Sequence, residues 1–408
     1  MAQFVKKEYR TSFILVTLLF FLWGFAHAIL DVLNKHFQDV MEITRAHSAW
    51  VQFMFYLGYF LMAIPAGIFI SGKGYRKGVV LGLLLFGIGS LMFLPGEYMM
   101  SFPFFLFSLF VIACGLVFLE TAANPYMTEL GDRSLGASRL NLAQSFNGLG
   151  CICGPLLGGM VVFSDSSHGI SIPYVFLGII VLVVALVFSR VRLPEIPYQE
   201  EEAGADGSAS TLRGIFSHPL FVFGLLALFF YEISEISINS FFINYVVDGG
   251  LMDKQMASIV LSVAGLGLFM VGRFVGSYLM RFIEAHRLLV ICAVGTVLCM
   301  ILVLLNLGMV SLVALVLCYA FEAIMFPTIF ALSIMGLGAG TKRASSFLMM
   351  SPIGGAVGPM LMGLMADWTS MTLSFIVPLV GFAVVLAYSL KVNKVISGQA
   401  PKRNGIPT

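Results

Sequence analysis

The sequence predicts an all-α membrane protein of twelve transmembrane helices arranged as two pseudo-symmetric six-helix bundles. Three observations carry that prediction. The first is composition: 59% of the 408 residues are hydrophobic and 11% charged, with a mean hydropathy of +0.97, whereas a soluble globular domain carries about 25% charged residues. The second is a repeated motif: Glu120 stands five residues before Pro125 and Glu322 five before Pro327, with the prolines 202 positions apart. The third is a second match at nearly the same offset, Gly154-Pro155-Leu156-Leu157-Gly158-Gly159-Met160 against Gly358-Pro359-Met360-Leu361-Met362-Gly363-Leu364.

Apolar runs long enough to span a bilayer, about 17–25 residues each, lie near 12–34, 47–71, 77–95, 101–126, 139–164 and 172–192 in the first half. In the second half they lie near 218–246, 256–280, 287–306, 310–336, 345–366 and 371–391. Stretches such as Val79–Phe93 are apolar on every face; strands of a membrane barrel would alternate apolar and polar residues instead. The polar segment Pro194-Glu195-Ile196-Pro197-Tyr198-Gln199-Glu200-Glu201-Glu202 and the Gly- and Ser-bearing stretch after it bury no core and read as a flexible linker. The predicted organisation is a bundle at 1–192, a cytoplasmic linker at 193–217, and a second bundle with a cytoplasmic tail at 218–408. Glycine, 42 residues with clusters at 148–159 and 354–363, suits close helix packing.

Net charge is +2, and its distribution is more informative than its size. Every Lys and Arg falls on one side of this topology except Lys35, Arg45 and Lys254, with Arg273 inside a span. The positive-inside rule then places both termini and the linker in the cytoplasm. The first apolar stretch is too long for a signal peptide and lacks a small-residue cleavage site, so it reads as a retained span. The six cysteines all lie within apolar spans, and Cys151-x-Cys153 has neither zinc-site nor thioredoxin spacing. They read as small buried hydrophobes, and no metal site or cofactor is expected.

An intramembrane acid costs roughly 2.5–3.5 kcal/mol on insertion scales and persists where it faces a cavity, a partner or a substrate. Glu120 and Glu322 are therefore candidate functional residues. Matched halves of this kind bind their substrate near the midplane at their interface, and rocking of one half against the other alternates access.

The loop Gly67-Ile68-Phe69-Ile70-Ser71-Gly72-Lys73-Gly74-Tyr75-Arg76-Lys77 resembles the signature loop of the major facilitator superfamily, with Ser71 in place of the usual Asp and Tyr75 in place of the usual Arg. Further stretches narrow the resemblance: Phe20-Phe21-Leu22-Trp23-Gly24-Phe25 leading to Asp31, then Leu119-Glu120-Thr121-Ala122-Ala123-Asn124-Pro125, then Arg139-Leu140-Asn141-Leu142-Ala143-Gln144-Ser145-Phe146-Asn147. In the second half Ile324-Met325-Phe326-Pro327-Thr328-Ile329-Phe330 and Gly354-Gly355-Ala356 join them. Over essentially the whole chain the sequence is similar to the L-fucose/proton symporter family, including its glucose- and galactose-transporting relatives. The resemblance implies the major facilitator fold and a bacterial inner-membrane sugar importer driven by protons. It also implies that Asp31 is the protonatable acid of the first helix, that Glu120 acts in sugar binding and protonation, and that Asn147 contacts sugar. The sequence departs from the family at Leu30, where relatives usually carry Asn, and at Glu322, where many carry Asn.

A sugar site needs groups that both donate and accept hydrogen bonds, plus aromatic faces. The candidates are Gln52, Tyr56, Glu120, Asn124, Gln144 and Asn147 in the first half, and Glu232, Glu235, Asn239, Asn244 and Glu322 in the second. Gln144 shares a helix face with Asn147, and Glu232 shares one with Glu235. Two ionised acids there would repel, so at least one of the pair is protonated or paired; Glu235 matches a Glu of some relatives. Desolvation disfavours a charged carboxyl group, and Asp31 reads either as a proton carrier or as a helix-packing acid. His27, one turn earlier, reads as a relay to Asp31, a modulator of its charge, or a structural histidine. Arg273 is expected to form a structural ion pair with an acid of the other half, with coupling or tuning as its further role. Trp23 and Tyr56 are candidates for stacking on a sugar ring or for packing.

Lysine is nearly absent from the spans, which argues against an anionic substrate, although Arg273 leaves a sugar acid open. The coupling ion is expected to be the proton, with sodium as the alternative. A drug or metabolite exporter of the same architecture would favour a more apolar cavity. An integral-membrane enzyme would need a nucleophile–base set or a metal cluster, and neither stands within the spans. The expected partners are a small-molecule sugar and membrane lipid, with no nucleic acid and a monomeric state.

Overall fold

In the computed structural model of the chain, the backbone is described for residues 4–40, 45–162, 171–190 and 212–399. Side chains at 26–49, 52, 133, 154–170, 173, 254, 255, 258, 339 and from 398 onward lie outside the described residues. The linker at 193–211 lies outside them as well.

Twelve long helical elements run through the described residues. In the first half they are α1 (Arg10–Val40), α2 (Arg45–Lys73), α3 (Tyr75–Leu91), α4 (Phe102–Glu129), α5 (Gly136–Val162) and α6 (Ser171–Arg190). In the second half α7 (Pro219–Asp248) is followed by α8, which runs as Lys254–Ile259, a π-helical turn Val260–Gly265, and Leu266–Leu279. Next come α9 (Ala285–Leu304) and α10, made of Met309–Glu322 and Met325–Ile334. The last two are α11, made of Thr341–Leu348, a 3-10 turn Ser351–Ile353 and Gly354–Trp368, and α12 (Ile376–Gln399). Ten segments of the described residues are long and apolar enough to cross a membrane, and Tyr174–Arg190 is a shorter apolar helix. Expected and observed spans agree to within a few residues at nearly every end; the interruptions within α8, α10 and α11 were not read from the sequence.

Proline accounts for one interruption directly. Pro327 has no N–H to offer the carbonyl four residues back, so the Ala323 carbonyl is left without its helical partner, and α10 breaks between Glu322 and Met325. Pro125 has the same relation to Thr121, where α4 stays continuous. In each half the glutamate therefore immediately precedes the residue whose carbonyl the proline releases.

Within each half the helices pack closely. α1 lies along α5, α3 along α4 and α6, and α2 along α4; in the second half α7 lies against α11 and α12, and α9 against α10 and α12. A methyl group on Gly115 would stand 2.5 Å from the Phe86 nitrogen, which explains why α3 and α4 meet backbone to backbone. At the tight link between α2 and α3, Gly74 adopts φ 87°, a conformation only glycine takes without strain. Arg76 caps the end of α6 by donating from Nε to the Phe188 carbonyl at 3.3 Å and from Nη2 to the Ser189 carbonyl. Arg139, fully buried, does the same for α4: Nε donates to the Met127 carbonyl at 2.9 Å, and its other nitrogens donate to the carbonyls of Thr128 and Phe4. Cationic donors at helix C-termini satisfy the last carbonyls and complement the helix dipole.

The two sets of helices meet along α5 with α8 and α10, and along α2 with α11. Ser138 Oγ donates to the Ser277 carbonyl at 2.7 Å, while Ser277 Oγ donates to the Ser138 carbonyl at 2.8 Å. Asn141 Nδ2 donates to Thr328 Oγ1 at 3.0 Å. Lys342 Nζ stands 4.6 Å from the centre of the Tyr75 ring. These contacts lie near the helix ends on the side that carries the basic α2–α3 loop.

Candidate functional site

Glu120 sits in the middle of α4, half-buried, and accepts a hydrogen bond from the Tyr59 hydroxyl of α2 at 2.7 Å. Tyr59 is in turn held by the Phe55 ring, with centroids 5.2 Å apart. One turn along α4, Asn124 is fully buried. It accepts from Gln144 Nε2 of α5 at 3.4 Å and donates to the Met349 sulfur of α11 at 3.6 Å. Asn147, three residues after Gln144, is half-buried and donates to the Phe20 carbonyl of α1 at 3.3 Å. The Asn147 main chain packs so tightly on Gly24 that a methyl there would overlap it. Glu120, Asn124, Gln144 and Asn147 thus form a layer on neighbouring turns of α4 and α5, tied to α2 through Tyr59 and to α1 through Phe20.

Arg273 of α8 joins that layer to the second half. Its Nη1 donates to the Gln144 carbonyl at 3.1 Å and to Gln144 Oε1 at 3.4 Å, while Nε donates to the Ala323 carbonyl at 3.1 Å. Its guanidinium carbon lies 4.4 Å from the centre of the Phe269 ring. Among the described residues Arg273 forms no ion pair with an acid of the other half, and its hydrogen bonds go to carbonyl oxygens instead. The physical reason is local: Pro327 frees the Ala323 carbonyl, and a buried guanidinium with five donors satisfies it.

Glu232 and Glu235 lie three residues apart on α7, hence on one face, Glu232 buried and Glu235 half-buried. Gly354 and Gly358 of α11 press against α7 at Phe229, Glu232, Ile233 and Ser237, which fixes this acidic face. Asn239 accepts from the Tyr319 hydroxyl at 2.8 Å. Tyr56 is buried, with its hydroxyl against Gly355 of α11. Trp23 is buried against Phe20, with ring centroids 4.1 Å apart.

Two candidates stand apart. Glu322 has no exposed surface, and neither carboxylate oxygen has a hydrogen-bond partner among the described residues; in this conformation it is a core acid rather than a cavity-facing sugar ligand. Asn244 is exposed near the far end of α7, three turns from Glu232. Helix position alone did not reveal its direction. The side chains of His27, Asp31 and Gln52 lie outside the described residues.

Sequence reasoning missed Tyr59, Tyr231 and Tyr319. Tyr59 is one turn from Tyr56, a spacing that placed it on the same face, but among 13 tyrosines that spacing singles out nothing. A groove of about 960 Å³ opens on the flank of α2, α7 and α11, lined by Phe60, Ile64, Val222, Leu226 and Phe229 among others, with Lys391 as its one charged lining group. That lining offers a polyhydroxylated solute few partners, so the polar layer around Glu120 is the better candidate site.

Residues 12–344 match the sequence model of the Major Facilitator Superfamily. The chain is 33% identical over 400 residues to a glucose/galactose transporter of Brucella abortus, covering 94% of this chain and 95% of that one. It is 33% identical over 412 residues to the L-fucose-proton symporter of Escherichia coli, covering 94% and 93%. A crystal structure of the transporter FucP in the outward conformation superposes with a TM-score of 0.85 at 32% identity, covering 95% of this chain and 99% of that one. The chain belongs to the major facilitator superfamily and, within it, to the family of fucose and glucose/galactose transporter-like sugar permeases.

Proposed function

We propose that the protein is a proton-coupled symporter that imports a neutral monosaccharide, fucose, glucose, galactose or a related hexose, by alternating access across the bacterial inner membrane. The observation that carries this reading is the Tyr59–Glu120 hydrogen bond set beside the Asn124, Gln144 and Asn147 amides. An acid that exchanges a proton there sits next to groups that donate to and accept from sugar hydroxyls. Glu120 and Asp31 carry the coupling proton; Glu120, Gln144, Asn147, Gln52, Asn124, Tyr56, Glu235 and Asn239 form or border the sugar site. No cofactor takes part, and the protein works as a monomer in lipid. Residues 1–192 and 218–408 rock against each other about this layer, with the linker at 193–217 and both termini in the cytoplasm, as the basic loops favour. The Ser138–Ser277 and Asn141–Thr328 contacts are consistent with closure on the cytoplasmic side.

The test is a counterflow screen of monosaccharides with protein reconstituted in liposomes, repeated with Glu120→Ala. One hexose is expected to exchange, to move protons with it, and to lose binding in the variant. Binding that survives Glu120→Ala undiminished removes the site assignment. Uptake that ignores a protonophore and requires sodium replaces the proton with that ion.

A further inference from the structure

The Glu322 carboxyl group is the least accommodated polar group of the second half: it has no exposed surface, and both its oxygens lack hydrogen-bond partners among the described residues. An ionised carboxylate in such surroundings retains neither solvation nor a paired charge, whereas a neutral carboxylic acid needs far less of both. The charged and titratable groups that act on it are Glu235 and Tyr231 of α7, Arg273 of α8, Cys299 of α9, and Cys318 and Tyr319 of α10 itself. Arg273 is the one cation among them, and its guanidinium is engaged elsewhere, on the carbonyls of Ala323 and Gln144.

We propose that Glu322 is a second proton site of the transporter, protonated in this conformation, and that loss of its proton draws Arg273 off Gln144 and so loosens the junction between the two halves. The geometry supplies the route. Glu322 is bonded in sequence to Ala323, the residue whose carbonyl Pro327 leaves free and Arg273 Nε holds at 3.1 Å. The guanidinium therefore already lies at the break in α10, bonded to the residue that follows Glu322. Once Glu322 is ionised, the carboxylate competes with the Gln144 oxygens for the same donors, and charge-assisted pairing favours the carboxylate. Gln144 then loses its hold on α8, and Asn124, bonded to Gln144 one turn from Glu120, feels the change. The proton moves as a whole: it leaves the Glu322 oxygen for cytoplasmic water once the junction opens, and Glu322 regains one from the outer side after the junction has closed, so one proton crosses per cycle.

The inference rests on the symport reading only for its transport arm. The first arm needs no sugar: infrared spectra of purified wild type and Glu322→Gln at neutral pH are subtracted in the region of the protonated-carboxyl carbonyl stretch. A band lost in the variant and shifted by deuterium is expected; superimposable spectra overturn the proposal. The second arm measures the reversal potential of sugar flux in proteoliposomes. Glu322→Gln is expected to keep sugar counterflow while the proton-to-sugar ratio falls by one, and an unchanged ratio overturns the proposal. Should Glu322→Gln fail to fold, Glu322→Asp keeps the acid and is read by a frequency shift of the same band, whose absence counts against the assignment. A wild type that moves no protons with any sugar refutes the symport reading, and the infrared band then decides the Glu322 proton by itself.

Discussion

Arg273 and Gln144 join the two halves of the protein: one guanidinium nitrogen donates to both the main-chain carbonyl and the side-chain oxygen of Gln144, at 3.1 and 3.4 Å. A lysine ammonium has three donors but not the planar fork that serves Ala323 and Gln144 at once. Arg273→Lys is expected to lower stability by about 1.5–3 kcal/mol, the usual range for hydrogen bonds to charged groups, and to weaken sugar binding through the freed Gln144. Thermal unfolding in detergent with and without sugar reads both effects; an unaltered midpoint and an unaltered sugar-induced shift would remove the bridge from the account.

Tyr59 orients Glu120 through a single hydroxyl. Tyr59→Phe removes that hydroxyl while the ring keeps its packing on Phe55. Sugar affinity is expected to fall roughly tenfold, equivalent to about 1.4 kcal/mol, a typical loss for one buried hydrogen bond, with expression and thermal midpoint nearly unchanged. Equilibrium binding checks it, and an affinity equal to wild type means that Glu120 is held by other groups.

Ser138 and Ser277 exchange hydrogen bonds across the seam, and their hydroxyl oxygens lie 3.4 Å apart. If this seam must part in each cycle, cysteines at both positions, once oxidised, stop transport, and reduction restores it. Full transport by the cross-linked protein would show that the seam stays shut during the cycle.

Gly24 and Gly150 let α1 and α5 touch backbone to backbone: a methyl on Gly24 would lie 2.1 Å from the Asn147 carbonyl oxygen, and one on Gly150 would lie 2.2 Å from that of Phe21. Overpacking of this kind costs about 1–3 kcal/mol when the neighbours can shift, and here the neighbours are backbone. Gly24→Ala is expected to cut the yield of monodisperse protein and to displace Asn147, reducing uptake more than tenfold. Size-exclusion profiles and uptake assays measure the two effects, and wild-type values in both would mean that α1 moves aside without cost.

Much of the architecture was legible because burial in a bilayer is a property of sequence runs. A segment apolar on all faces has one stable spanning form, the helix with its hydrogen bonds satisfied internally, so the spans around Glu120 and Glu322 were placed correctly. Direction within a span was less legible. Gln144 and Asn124 were drawn into one layer, whereas Glu322, the repeat partner of Glu120, turned into the core and Asn244 lies far along α7. Repeat symmetry matches positions along the chain, but the neighbours of each position differ: Glu120 meets Tyr59, while among the described residues neither Glu322 oxygen meets a hydrogen-bond donor.

The sequence by itself determined that this chain crosses a membrane many times, that its second half repeats its first, and that acids lie at membrane depth, since each follows from composition and spacing along one strand of polymer. Only the tertiary structure decided which polar groups touch. Arg273 reached carbonyl oxygens because Pro327 freed one within its reach and helix packing brought Gln144 to the other side of the guanidinium. Contacts between residues more than a hundred positions apart depend on how whole helices pack, and no local pattern encodes that packing.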